Sequence, residues 1–207
     1  MQQFHRTLSR LGSTFEIILV PNGQDDGSGS ICAGLAESLA GVRCIGLQEA
    51  GWGRAVRTGI AATRGRLIAY SNSARTQPED LAALLRAALS EPGTVIKAVR
   101  PFRGSFVRRI GSWLYNVECR LLLGTATRDV NGTPKVFPRE FTALTALQRC
   151  NDLIDLELLW LCRRHGYPVR EIALTQDRRR GGRSTTGWKT ARGLYAGAIG
   201  FWLAVRR

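Results

Sequence analysis

The chain has 207 residues, 44% of them hydrophobic and 22% charged, which suits one globular domain with a full core and argues against a disordered chain or two separate domains. Its net charge of +14 is uneven: residues 1–99 carry ten Lys/Arg against eight Asp/Glu, and residues 100–207 carry twenty against eight, giving +2 and +12. So basic a half either favours a polyanionic partner (lipid phosphates, a nucleotide diphosphate, a nucleic acid) or serves solubility alone.

In chain order, residues 1–10 are polar and basic with no apolar stretch of a secretion signal behind them. Phe15 to Val20 reads as a strand, followed at once by a dense turn signal from Pro21 to Ser28. A helix follows with Ile31, Leu35 and Leu39 on one face. Val42 to Leu47 reads as a strand, Ala55 to Thr63 as a helix, Arg66 to Tyr70 as a strand and Pro78 to Leu89 as a helix opened by Pro and two acids. Thr94 to Val99 reads as a fourth strand. Phe106 to Leu123 reads as a long helix, with Ile110, Leu114, Val117, Leu121 and Leu122 expected to face inward. Pro134 to Phe137 reads as a short strand, Leu153 to Arg164 as an apolar helix, Val169 to Leu174 as a strand and Thr190 to Val205 as a final helix. A basic glycine-rich loop containing Arg178, Arg179, Arg180, Arg183 and Ser184 precedes that helix.

Alternation of strands and helices predicts an α/β fold, a parallel sheet with helices on both faces, in which ligands meet the carboxyl ends of the strands. The loops after Val20 and Tyr70 are therefore the places to look for chemistry. The five cysteines (Cys32, Cys44, Cys119, Cys150 and Cys162) are odd in number and lack CxxC spacing, so free thiols in a reducing cytosol are expected. The longest apolar stretch, Gly193 to Val205, falls short of the roughly twenty residues of a membrane-spanning helix. It either packs in the core or lies at a membrane interface, with Trp188, Tyr195, Phe201 and Trp202 as the aromatic contacts.

Four segments occur in an order that resembles the family-two glycosyltransferases of the GT-A type. Residues 16–28, EIILVPNGQDDGS, are similar to the family's EIIVVDDGSTDGT, and residues 51–65, GWGRAVRTGIAATRG, to GKGAAVRTGIAAARG. Residues 68–81, IAYSNSARTQPEDL, are similar to ILFMDADLQTPPEDL. Residues 129–139, DVNGTPKVFPR, are similar to the acceptor-side D…GFKLFRR. Within the family the tail resembles the branch of polyprenyl-phosphate (dolichol-phosphate-mannose-type) sugar synthases. The resemblance implies one GT-A-like domain over residues 1–207, with a nucleotide-sugar-binding half at 1–99 and a basic acceptor-side half at 100–207. It implies a glycosyltransferase that moves a sugar from a nucleotide-diphosphate donor to a lipid-phosphate or similar acceptor. Polyprenyl phosphate and an anionic membrane surface are then the expected partners, at the cytoplasmic side of the inner membrane. Nucleic acid is not an expected partner, for the chain has no recognised module and little basic–aromatic interleaving.

The resemblance also assigns roles. Asn22, Gly23, Asp26, Gly51, Gly53, Arg57, Asn72, Ser73 and Arg75 fall on the donor side, Asp129 and Glu157 are the first and second choices for an acceptor-side carboxylate, and Arg100, Arg103, Arg109, Arg183 and Ser184 would meet phosphate. Each has a plainer reading beside it: turn chemistry for Asn22 and Asp26, solvated charge for the arginines, and helix-end charge for Asp152 and Asp155. Three departures lie on the donor side. The family's metal-binding Asp-x-Asp is Asn72-Ser73-Ala74 here, the acids before the turn glycine are Pro21 and Asn22, and residues 1–14 carry no VIPAYNE-like strand. Magnesium or manganese is the family's cofactor, but this triplet predicts weak or absent metal affinity, with Arg75 and the arginines after Val99 in the cation's place. The alternative is a catalytically inactive GT-A-fold protein acting as a binding or membrane-surface partner.

Overall fold

The computed structural model describes residues 1–23, 26–101, 106–125, 127–174 and 188–206, and of residues 107, 108 and 188–191 only the backbone. The elements in order are α1 (Gln2–Ser9), β1 (Ile17–Leu19), α2 (Ser28–Ser38), β2 (Val42–Cys44), α3 (Trp52–Ala62), β3 (Leu67–Tyr70) and α4 (Pro78–Ser90). They continue as β4 (Val95–Val99), α5 (Phe106–Leu123), β5 (Lys135–Pro138), α6 (Thr142–Thr145), α7 (Ile154–His165), β6 (Val169–Ala173) and α8 (Trp188–Val205).

The α/β class is as the alternation predicts, but the strands form two sheets. β1 and β2 pair in parallel, and the other four run in the order β3-β5-β4-β6. β4 and β6 are parallel, whereas β5 is antiparallel to both β3 and β4. The antiparallel β5 is invisible to a reading of hydrophobic spacing, because direction depends on where the preceding connection ends and not on side-chain pattern.

Side-chain alternation along the strands divides the core. Ile68, Val95 and Phe137 pack beneath α5, α7 and α8 with Tyr115, Cys119, Leu156, Leu158 and Phe201. Ile96, Ala98 and Val136 face the other way and meet Leu84 and Ala88 of α4. The helix α1 lies where the sequence pattern predicts no element; its Phe4 and Leu8 pack on Leu81 of α4.

The buried faces of two helices add to the periodicity reading. Of α2, no residue is buried: Ile31 is 66% exposed, Leu35 and Leu39 of the same stripe are half-buried, and the helix lies along β2. Of α5, Ile110, Leu114 and Leu121 point to solvent, and Tyr115, Asn116, Cys119 and Leu123 make the inner face. Periodicity locates a stripe but does not say which stripe meets the core, and here a polar contact helps decide: buried Asn116 accepts the Val130 amide at 2.9 Å. All five cysteines are free thiols. Among the described residues no helix is long and apolar enough to cross a membrane.

Candidate active site

Strand register gathers several loops at one edge of the four-stranded sheet. Tyr70 and Lys97 both lie opposite Lys135, and Val99 lies opposite Ala173. The carboxyl ends of β3, β4 and β6 and the amino end of β5 therefore share that edge. Asn72, Ser73 and Arg75 follow β3 there, Arg100 follows β4, and Asp129 lies in the stretch that leads into β5. The Leu174 amide, just past β6, is held to the Val99 carbonyl at 2.9 Å. This is the edge at which ligands bind in open α/β sheets.

On the donor side the turn after β1 is joined to the start of α3. Asn22 accepts the Gly51 amide at 3.1 Å, and the Gly23 amide donates to the Leu47 carbonyl at 3.0 Å. Gly23 has φ +66° and its missing Cβ would sit 2.3 Å from Ala50, so only glycine fits. Gly53 is needed for another reason: a Cβ there would come within 2.6 Å of the Arg149 carbonyl and 2.5 Å of the Asn151 carbonyl. The segment 149–151 thus lies against the α3 N-terminus, and the Arg54 amide donates to the Cys150 carbonyl at 3.0 Å. Arg57 donates to the Gln148 carbonyl at 3.1 Å and to the Cys150 sulfur at 2.9 Å. Asp26 is exposed and accepts the Ser28 amide at 3.0 Å; the Ser28 contacts hold its carboxyl below the usual value.

A divalent cation at the turn after β3 would meet a poor donor set. Asn72 Oδ1 already accepts the Ala74 amide at 3.0 Å, and the Asn72 carbonyl takes the Arg75 and Thr76 amides at 3.1 and 3.0 Å. Ser73 offers a neutral hydroxyl and Ala74 a methyl. Hard cations are held by anionic oxygens, and this turn supplies none. Among the described residues no group of three His, Cys, Asp or Glu side chains is arranged to hold a metal. These residues do not fit magnesium or manganese.

The acceptor side is dominated by buried charge. Asp129 is 7% exposed and takes a fork from Arg100, with Nε to Oδ2 and Nη2 to Oδ1 both at 2.8 Å, plus the Arg100 amide at 3.1 Å. Burial pushes the Asp129 carboxyl up, but Arg100 and the nearby Lys97 charge hold it net below its usual value. Lys97 donates to the Asp129 carbonyl at 2.7 Å and to Glu171 at 3.0 Å. Burial, and then the charge of Lys135, lower its ammonium to about 8 against the opposing pull of Glu171 and Asp129. Glu171 also accepts the Thr127 hydroxyl and the Arg128 amide. Glu157, the second acceptor-side choice, is turned away from this cluster: its carboxylate takes the Gln148 and Arg149 amides at 2.8–3.1 Å. Arg109 is exposed on α5, and Arg103, Arg183 and Ser184 lie outside the described residues.

The residue that joins the two sides is Asp155, which sequence reasoning read as helix-end charge. It is 3% exposed and accepts Tyr70 Oη at 2.8 Å, Trp52 Nε1 at 3.0 Å and Lys135 Nζ. One carboxylate thus ties the start of α3, the end of β3, β5 and α7. Burial, and then the Asp155 charge, push the Tyr70 hydroxyl well above its ordinary value, so it stays a donor. Lys97 and Lys135 belong to none of the candidate site residues of the sequence, though a signal for them exists. Each is a charge inside a short apolar strand, VIKAV and KVFP, and a charge buried in a sheet demands a carboxylate partner.

The sequence profile of glycosyl transferase family 2 matches residues 2–143. The chain belongs to this family. It is an enzyme of the family-two glycosyltransferases, which use nucleotide-sugar donors. No curated protein matches the chain. Among solved structures, glucosyl-3-phosphoglycerate synthase from Mycobacterium tuberculosis, in complex with Mn2+, UDP-glucose and glycerol 3-phosphate, superposes with a TM-score of 0.65. Identity is 15%, over 97% of this chain and 82% of the synthase. The same synthase with Mg2+ and UDP gives a TM-score of 0.64 at 15% identity, over 97% and 83%. A structure described as a mycobacterial protein gives 0.63 at 17% identity, over 97% and 76%. At such identities the likeness establishes the GT-A-like fold alone.

Proposed function

We propose that this family member transfers a sugar from a nucleotide-diphosphate donor to a phosphate-bearing acceptor, a lipid phosphate in the first instance, with weak or no dependence on a metal. The acceptor-side carboxylates carry this reading. Asp129 is locked in a fork with Arg100 and its proton affinity is lowered, while Glu157 is saturated by backbone amides. Neither is suited to take a proton from an alcohol. A phosphate acceptor is already an anion and needs no general base. The donor half is residues 1–99 and the acceptor half 100–207.

In this reading Asn22 and the turn at Asn72 flank the nucleotide, and Arg75 supplies the positive charge that a cation supplies in metal-dependent transferases. Arg100 faces the acceptor phosphate in this reading, and Arg178, Arg179, Arg180 and Arg183 add to the charge of the basic half. The M. tuberculosis synthase, whose complexes hold glycerol 3-phosphate and phosphoglyceric acid, supports an acceptor that bears a phosphate; the +12 half supports a lipid carrier over a free metabolite.

Calorimetry with uridine and guanosine diphosphates in the presence of a chelator tests it. Binding of either one without metal, weakened roughly tenfold or more in Arg75→Ala, is the expected result. No binding of either, with or without manganese, would favour the inactive-fold alternative.

A further inference from the structure

The apolar residues of α5 form two stripes. Tyr115, Cys119 and Leu123 are buried in the core. Phe106, Ile110, Trp113, Leu114 and Leu121 are 73%, 42%, 57%, 46% and 79% exposed. At the pitch of an α-helix these five fall within an arc of about 100° on the side opposite the buried one. The pattern is a continuous apolar face, not scattered exposed side chains. Arg109 and Arg120 are exposed along one border of the arc, and Glu118, the only acid of the helix, lies beyond the other.

The neighbouring α8 has the same character. It packs on α5, where Tyr195 Oη donates to the Gly111 carbonyl at 2.5 Å and the Tyr115 and Tyr195 rings meet edge to face at 5.7 Å. Its exposed residues include Ile199, Leu203 and Arg192, exposed Arg206 follows it directly, and the helix has no acid. The aromatic contacts expected of this helix are mostly engaged internally: Phe201 is a core residue, Tyr195 is tied to α5, and Trp202 lies under Arg206 at 4.1 Å.

Two occupants suit an apolar helix face, a second copy of the chain and a lipid interface. Charge separates them. A second copy would bring one +12 half against another, whereas an anionic bilayer is attracted by the arginines while the aromatic and aliphatic side chains enter its interface. We propose that the outer stripe of α5, from Phe106 to Leu121, is a docking face for an anionic phospholipid bilayer. It deepens the lipid-acceptor reading and rests on it only for its purpose, since the stripe itself needs no transferase activity. Phe106 follows Arg100 by a few residues, so a docked α5 would bring the acceptor edge of the sheet near the lipid headgroups.

Sedimentation with vesicles tests this. The full chain should bind vesicles of equal parts phosphatidylcholine and phosphatidylglycerol at low salt, with affinity falling roughly tenfold or more at high salt and on phosphatidylcholine alone. Trp113→Glu, and separately Leu114→Gln with Leu121→Gln, should each reduce binding by about tenfold. These side chains are exposed, so both variants should melt like the wild type. The proposal is overturned if the wild type does not sediment with anionic vesicles at low salt, or if both variants bind as the wild type does. It is equally overturned if the wild type is a dimer that Trp113→Glu makes monomeric without any vesicle binding. Nucleoside diphosphate titrations on the same proteins without vesicles read the transferase proposal separately: the variants should bind as the wild type does, and a failure there leaves the docking result standing.

Discussion

Lys97 and Lys135 stand directly opposite each other on adjacent antiparallel strands, both fully buried, and each is closed by a different carboxylate. Lys97 reaches Glu171 and Lys135 reaches Asp155. Two like charges side by side in a core are tolerable only because each has its own partner, so the pairs are interdependent.

Removing one partner should therefore be costly. Asp155→Asn keeps the shape but leaves Lys135 without its counter-charge, and we expect a loss of about 3–5 kcal/mol in urea unfolding. Joint replacement, Asp155→Leu with Lys135→Met, should cost less than either single change, because no unpaired charge remains. A double variant as unstable as the sum of the singles would argue against the pairing.

The Lys97 ammonium sits near 8 in the folded protein, below its ordinary 10.5. Between these values the unfolded chain holds a proton that the folded chain has released, so stability from this group rises with pH across that window. Below about 8 both states are protonated and the cost of burying the charge is fully present. Melting of the wild type relative to Lys97→Met, followed from neutral to alkaline pH, should show the wild type gaining on the variant. A constant difference would mean that Lys97 does not titrate there.

Acid should act through Asp129 and Glu171. Both carboxyls are held below their usual values when folded, by Arg100 and by Thr127 and Lys97 respectively, against the upward push of burial. Their stabilisation is present above the unfolded pKa values and is lost as pH falls through the lower folded ones. Glu171→Gln should flatten the acid side of the stability profile measured by thermal melts.

Two glycines of α3 should respond with opposite sign. Gly53→Ala forces a methyl into the 149–151 backbone and should destabilise by about 1–3 kcal/mol. For Gly59, the nearest atom to an added Cβ is Val20 Cγ2 at 3.6 Å, so Gly59→Ala should stabilise by roughly 0.5–1 kcal/mol through helix propensity. Chemical denaturation of both variants checks the close approach at the α3 N-terminus.

Restoring carboxylates should restore a metal response. Asn72→Asp with Ala74→Asp gives the turn two anionic oxygen donors, and nucleoside diphosphate binding should become stronger when manganese is added. Calorimetry with and without the ion reads this directly; no response would mean that the turn does not face the diphosphate.

Much of this protein is determined by sequence alone. The order of strands and helices apart from α1 and α6, the GT-A-like class and the family are carried by local propensity, turn residues and the spacing of the segments at 16–28, 51–65, 68–81 and 129–139. These are short-range properties, and each can be read within its own segment. What only the tertiary structure decides are the long-range relationships. The reversal of β5, the outward turn of the α5 stripe and the conversion of Asp155 from an apparent helix-end charge into the acceptor of Trp52, Tyr70 and Lys135 all depend on residues far apart in the chain. The physical reason is burial. Whether a carboxylate is a solvated surface charge or the partner of a buried lysine is set by which segments fold over it, and no local pattern around Asp155 contains that information.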